Sequence, residues 1–230
     1  MIEWEQKTSK QNIVDILIIV LSFAVIYGIA GIVYVVLQLD LGKPLLMQTI
    51  MGACVQFGTM GLGVCIVCAL RKDTFASFGL KREKLLLTIF LSALACLPSL
   101  LFRIYQQESF TYLPFQGVHF TRPLLDSAFP VNVIGLLIIS TAWGFFEGFY
   151  YVVLYDRINK LLLAKNVFLN WGAIICGVYC LLIHIVCGHT YGVEAIGVFV
   201  VIYGMLLTYS YTDNAWGCVL IYCLYWNAIA

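Results

Sequence analysis

The sequence predicts an all-α, polytopic membrane protein, and three observations carry that prediction. Of 230 residues, 62% are hydrophobic and only 11% are charged, whereas soluble domains run at about half and about a quarter. The mean hydropathy is +0.95. The apolar residues also gather into runs of roughly 20, the length at which a helix crosses a hydrocarbon core. One domain covering 1–230 is the count that such a length suggests. The net charge of +1 and the lack of a basic patch point away from nucleic acid and leave the lipid bilayer as the expected partner.

Seven segments qualify as spans: about 13–38, 45–70, 85–103, 133–155, 168–188, 193–211 and, marginally, 214–230. The first is too long for a signal peptide, and no small-residue cleavage site follows it. Asp15 stands at its entrance, where a carboxylate reaches the headgroups. Gly28-Ile-Ala-Gly31 in the first span and Gly58, Gly61 and Gly63 in the second permit close helix contacts. The loop before the third span carries Arg71, Lys72, Lys81, Arg82 and Lys84. The loop after it, Ile104 to about Asn132, sets six phenylalanines and tyrosines among three prolines. Such a loop can dip into the interface or cover a cleft, or serve as an amphipathic connector; we favour the connector, with His119 on its surface.

The fourth span admits two registers. Between Val133 and Tyr155 it puts Glu147 in the inner half of the membrane. Starting near Ser140 and continuing through "DRINKLLL", it moves Glu147 outward and lets Arg157 and Lys160 snorkel to the interface. We adopt the second. The N-terminal tail, the loop after the second span and the loop after the fourth together hold ten of the thirteen basic residues. That asymmetry predicts a cytoplasmic N-terminus and, with seven spans, an external C-terminus in a cell membrane. The nine cysteines all lie in apolar stretches, and an odd number so placed reads as small core hydrophobes rather than a disulfide framework.

Ionisable groups inside spans are costly and mark functional sites by default. The candidates here are Glu147, His184, His189 and Glu194, with the amide of Asn227 beside them. His184 is one turn from the outer end of its helix, and Asn227 is roughly 20 Å from the inner end of its own. Glu147 is flanked by the small pair Gly144 and Gly148, so another helix backbone can approach and wall it off from lipid. Two roles stay open for it: a general base, or interhelical glue bonded to a neighbouring tyrosine. His189 fits the interface, and Glu194 fits a helix N-terminus.

No cofactor is expected, and the metal signal is thin. Cys176, Cys180 and His184 recur every four residues on one face, but three such positions span about 12 Å, too far for one ion. His-Glu-x-x-His is absent. Cys180, His184 and Glu147 remain the zinc set that spacing leaves open. No Gly-x-Ser-x-Gly and no pair of intramembrane aspartates occurs.

The stretches "FASFGLKREKLLLTIFLSAL", "GFFEGFYYVVLYDRINK", "LLIHIVCGH" and "NAWGCVLIYCLYWNAIA", taken in order and spacing, resemble the CAAX protease and bacteriocin-processing (CPBP) family. The likeness covers roughly 75–230. It implies a multi-pass glutamic intramembrane endopeptidase that acts on a peptide or membrane-anchored protein, or a degenerate relative of one. It carries over Glu147 as base, His184 as its partner, and Asn227 or Tyr222 as oxyanion donor. Three departures stand out. Phe146 and Tyr151 replace the first glutamate and the arginine of the Glu-Glu-x-x-x-Arg motif. Cys180 replaces the phenylalanine of Phe-x-x-x-His. Tyr222 and Trp226 fill the His-x-x-x-Asn positions, with Asn227 one residue late. These losses keep open a non-catalytic scaffold or immunity-type protein that holds another membrane protein or peptide.

Overall fold

The computed structural model describes residues 2–37, 43–106, 111–162, 166, 168–187 and 194–228, with the side chains of 2–8, 33–37 and 194 outside that description. The expectations for His189 and for the Glu194 side chain therefore fall outside the described residues. The described chain is helical, with no β-strand. Its helices are α1 (Ile2–Leu37), α2 (Leu45–Arg71), α3 (Leu85–Tyr105), a short α4 (Thr121–Leu125), α5 (Val131–Leu161), α6 (Trp171–Val186), α7 (Glu194–Thr212) and α8 (Trp216–Trp226). Among the described residues, five helical stretches are long and apolar enough to cross a membrane: Ser9–Ile32 of α1, α2, α3, α5 and Ala195–Thr212 of α7. Helices α6 and α8 are apolar but shorter.

The chain divides into two compact units. The first comprises Met1–Ile16, Thr74–Ser109 and Tyr151–Ile221. Here α7 packs against α3 and α6, and α8 packs against α3 and α7. Small residues set the approach: a Cβ on Gly204 would meet that of Ala95 at 2.9 Å. The opposite face of α3 is left bare at Leu86, Phe90, Leu94 and Leu101, as a lipid-facing helix requires. Asn170 caps α6, accepting from the Ala173 amide at 3.3 Å and donating to the Tyr155 hydroxyl at 2.7 Å. Asn214, fully buried, ties the α7–α8 turn to the loop before α3 by donating to the carbonyls of Lys81 and Glu83.

Asp15 and Arg157 overturn their expected places at the headgroups. Both are buried in this unit, with Arg157 Nε 3.2 Å from Asp15 Oδ2. The guanidinium also reaches Asp156 at 3.3 Å, Lys160 bonds Asp156 at 2.7 Å, and the Phe78 ring lies 5.5 Å from the Arg157 carbon. Two acids and two bases thus neutralise one another, which removes the need for either buried charge to seek water.

The second unit comprises Leu17–Asp73, Phe110–Tyr150 and Tyr222–Ala230. A Cβ on Gly63 would stand 2.9 Å from the Ile19 Cα, and one on Gly58 would stand 2.8 Å from the Ile26 side chain. No described atom lies within 4 Å of such a position at Gly28 or Gly31, so the small pair in α1 makes no close contact here. The aromatic loop is not a mere connector. Phe115, Val118 and Leu124 join Ile139 in a buried cluster, with Phe120, Trp143 and Cys223 packed against it. Its aromatic side chains carry more apolar area than a surface loop can leave in water.

Helix α5 follows neither register expected for it. It starts near the first, at Val131, and ends near the second, at Leu161. Between Ser140 and Phe146 it takes a π-helical turn.

Candidate functional site

Three π-helical turns occur among the described residues: Phe57–Gly61 in α2, Ser140–Phe146 in α5 and Tyr222–Trp226 at the end of α8. All three belong to the second unit. The first and third each pack against the second. Gly61 lets Phe57 and Phe146 close in, and Gly144 does the same for Cys223 and Phe115. The Phe57 and Phe146 rings meet edge to face with centroids 4.8 Å apart.

Each turn borders one polar side chain. Gln56 comes immediately before the first, Glu147 immediately after the second, and Asn227 immediately after the third. The extra residue in a π turn advances the following face by about 100°, which lets an otherwise apolar helix aim one polar residue inward. Gln56 Nε2 donates to Glu147 Oε2 at 3.0 Å, and the Asn227 side chain is the second amide set beside the carboxyl. The Asn227 amide also lies 3.4 Å from the Trp143 carbonyl and 3.5 Å from that of Tyr222. Glu147 is half-buried, as are Gln56 and Asn227.

The aromatic loop holds the third corner. The Gly117 amide donates to the Asn227 carbonyl and the Leu113 amide to that of Ala228, at 2.9 and 3.0 Å. Phe115, in this stretch, has a φ of +60°, a conformation that bulky residues avoid unless their surroundings enforce it. Its carbonyl accepts from the Thr121 hydroxyl at 2.7 Å.

Of the four predicted site residues, Glu147 and Asn227 come together. Tyr222 is in the same unit with its side chain fully buried. His184 belongs to the other unit, half-buried in the last turn of α6. Gln56 is a partner that the sequence reading passes over. A glutamine ten residues inside an apolar span was its available signal, by the rule that polar groups in a membrane seek one another. Among the described residues no group of three or more His, Cys, Asp or Glu is placed to hold a metal. All nine cysteines are free thiols, with Cys54 exposed.

A carboxyl bonded by two amides can accept a proton or anchor a donor, and the amides can donate to a developing oxyanion. Neither the family models, nor the curated proteins, nor the solved structures with which the chain was compared match it.

Proposed function

We propose that this chain crosses a cell membrane seven times, N-terminus in the cytoplasm, and works as a glutamic intramembrane endopeptidase of the CPBP type. In this reading the shorter apolar helices α6 and α8 belong to the two further spans, and the uneven spread of Lys and Arg supports the orientation. The observation that carries the activity is the meeting of Glu147 and Asn227 where three π turns pack together. π-Helix accounts for well under about 1% of residues in ordinary proteins. It recurs at functional sites, so three such turns around one carboxyl favour a working site over a helix contact.

In this reading Glu147 takes a proton from a water whose oxygen attacks the scissile carbonyl carbon. The Asn227 amide donates to the resulting oxyanion. The proton then passes from Glu147 to the leaving nitrogen as the C–N bond breaks. Gln56 fixes the carboxyl in place.

One observation favours a second reading, a non-catalytic membrane scaffold or immunity-type partner. Gln56 occupies a carboxyl oxygen at 3.0 Å, and a glutamate clasped by amides from two other helices also describes interhelical glue.

The test is to express wild type and Glu147→Gln in host membranes and map new peptide termini by mass spectrometry. The endopeptidase reading expects termini with wild type that vanish with Glu147→Gln and persist, reduced at least tenfold, with Asn227→Ala. Identical termini from wild type and Glu147→Gln would end it in favour of the scaffold.

A further inference from the structure

A cleft in the second unit takes no part in the chemistry above. It is an open cleft of about 500 Å³ between α2 and α5, lined by Ile50, Ala53 and Phe57 from one helix and Ile134, Ile138 and Phe146 from the other. The single hydroxyl on its wall, Thr141, is turned back onto the Leu137 carbonyl at 2.9 Å. The wall therefore has no strong donor or acceptor to spare. An extended peptide lying there would strand its backbone amides and carbonyls in an apolar setting. A helix, about 10 Å across, would fill the volume with roughly one turn. A single hydrocarbon chain leaves no polar group unmet and fits the space.

The charge beside the cleft tells which hydrocarbon. Lys43 directly precedes Pro44, the N-cap of α2, and its ammonium folds along the helix to 3.6 Å from the Met51 sulfur. Among the described residues it has no acidic partner. The first turn of α2 has no acidic side chain and no side-chain cap, so its amides and the helix dipole favour an anion at the same end. Met51, which the ammonium reaches, directly follows Ile50, where the cleft begins.

We propose that the cleft holds one acyl chain of an anionic membrane phospholipid whose phosphate rests on Lys43. The cleft shares Phe57 and Phe146 with the π turns, but the proposal uses neither Glu147 nor Asn227 and survives if that reading fails.

The test uses the full chain in detergent with phosphatidylglycerol or phosphatidylcholine of matched chains, followed by native mass spectrometry. One phosphatidylglycerol should be retained at activation energies that strip all other lipid. Ala53→Phe, which fills the cleft, should lower that retained fraction at least fivefold for both lipids. Lys43→Glu should abolish the preference for phosphatidylglycerol while the protein still retains phosphatidylcholine. If either variant melts more than a few degrees below wild type, a phosphatidylglycerol carrying a diazirine on its chain reports on wild type directly. Crosslinks should then concentrate on Ile50–Phe57 and 134–146, several-fold above Leu86–Leu94 of α3. Equal retention by Ala53→Phe, an unaltered preference in Lys43→Glu, or crosslinks spread evenly over both regions would each overturn the proposal.

Discussion

In the first unit Asp15, 1% exposed, faces the guanidinium of Arg157, 5% exposed, at 3.2 Å. In the second, Glu147 faces the amides of Gln56 and Asn227. Both carboxyls lie within helices apolar enough to cross a membrane, yet they are stabilised differently. Asp15 belongs to a set of two acids and two bases with no net charge. Glu147 is held by amide dipoles, which orient a carboxyl without supplying a counter-ion. Among the described residues the first arrangement sets charge against charge. The second leaves a group whose energy still depends on what approaches it, which is the condition for a working site.

The largest expected effect breaks the first arrangement. Asp15→Leu removes the Arg157 guanidinium's partner at 3.2 Å and should cost about 3–5 kcal/mol, as removal of one partner of a buried pair does. Reversible SDS titration followed by tryptophan fluorescence measures it. Asp15→Leu combined with Arg157→Leu should recover most of the loss, since a well-packed apolar pair of like volume is close to neutral. A double variant no better than the single would show that the two residues do not act as a pair.

Glu147→Lys comes next, at about 2.5–3.5 kcal/mol, the cost of a lysine at depth in a membrane. The second arrangement supplies it with no carboxylate among the recorded partners. Gln56→Leu should cost less, about 1–3 kcal/mol, because it deprives one carboxyl oxygen of its donor. Measured by the same titration, a Gln56→Leu loss as large as that of Asp15→Leu would erase the distinction between the two arrangements.

The sequence disclosed the apolar helices well and the two burial schemes poorly. Runs of apolar residues placed most helices to within a few residues, while α1 begins at Ile2, well before the apolar run at 13, and five of the seven expected spans are long enough among the described residues. Glu147 and Asn227 were visible as polar exceptions in those runs. Their meeting depends on π turns, whose extra residue has no compositional signature: "STAWGFF" reads like any α-helical stretch. Gln56 was missed because an uncharged amide raises no alarm in a charge-based survey. Arg157 was misread because a basic residue near a span end snorkels by default, and its acid lies more than a hundred residues away in sequence. The aromatic loop was misread because local composition cannot tell an amphipathic connector from a segment of core.

The smallest effects contrast two ways of fastening one loop within the first unit. Asn214 donates to the Lys81 and Glu83 carbonyls at 2.9 and 2.7 Å and accepts from the Trp216 amide at 3.0 Å, all with its side chain fully buried. Asn214→Ala should cost about 1–3 kcal/mol, since buried carbonyls then lose their donors. Lys81 pairs with Asp213 a few ångströms away, but the two side chains are 34% and 70% exposed. Water and salt screen that pair, and ordering two long side chains offsets much of the attraction. Lys81→Ala should therefore change stability by less than about 1 kcal/mol, and by less still as salt is raised. The Lys81 backbone carbonyl, which Asn214 holds, survives the substitution. A Lys81→Ala loss equal to that of Asn214→Ala would mean that the ion pair, and not the buried amide, fastens the loop.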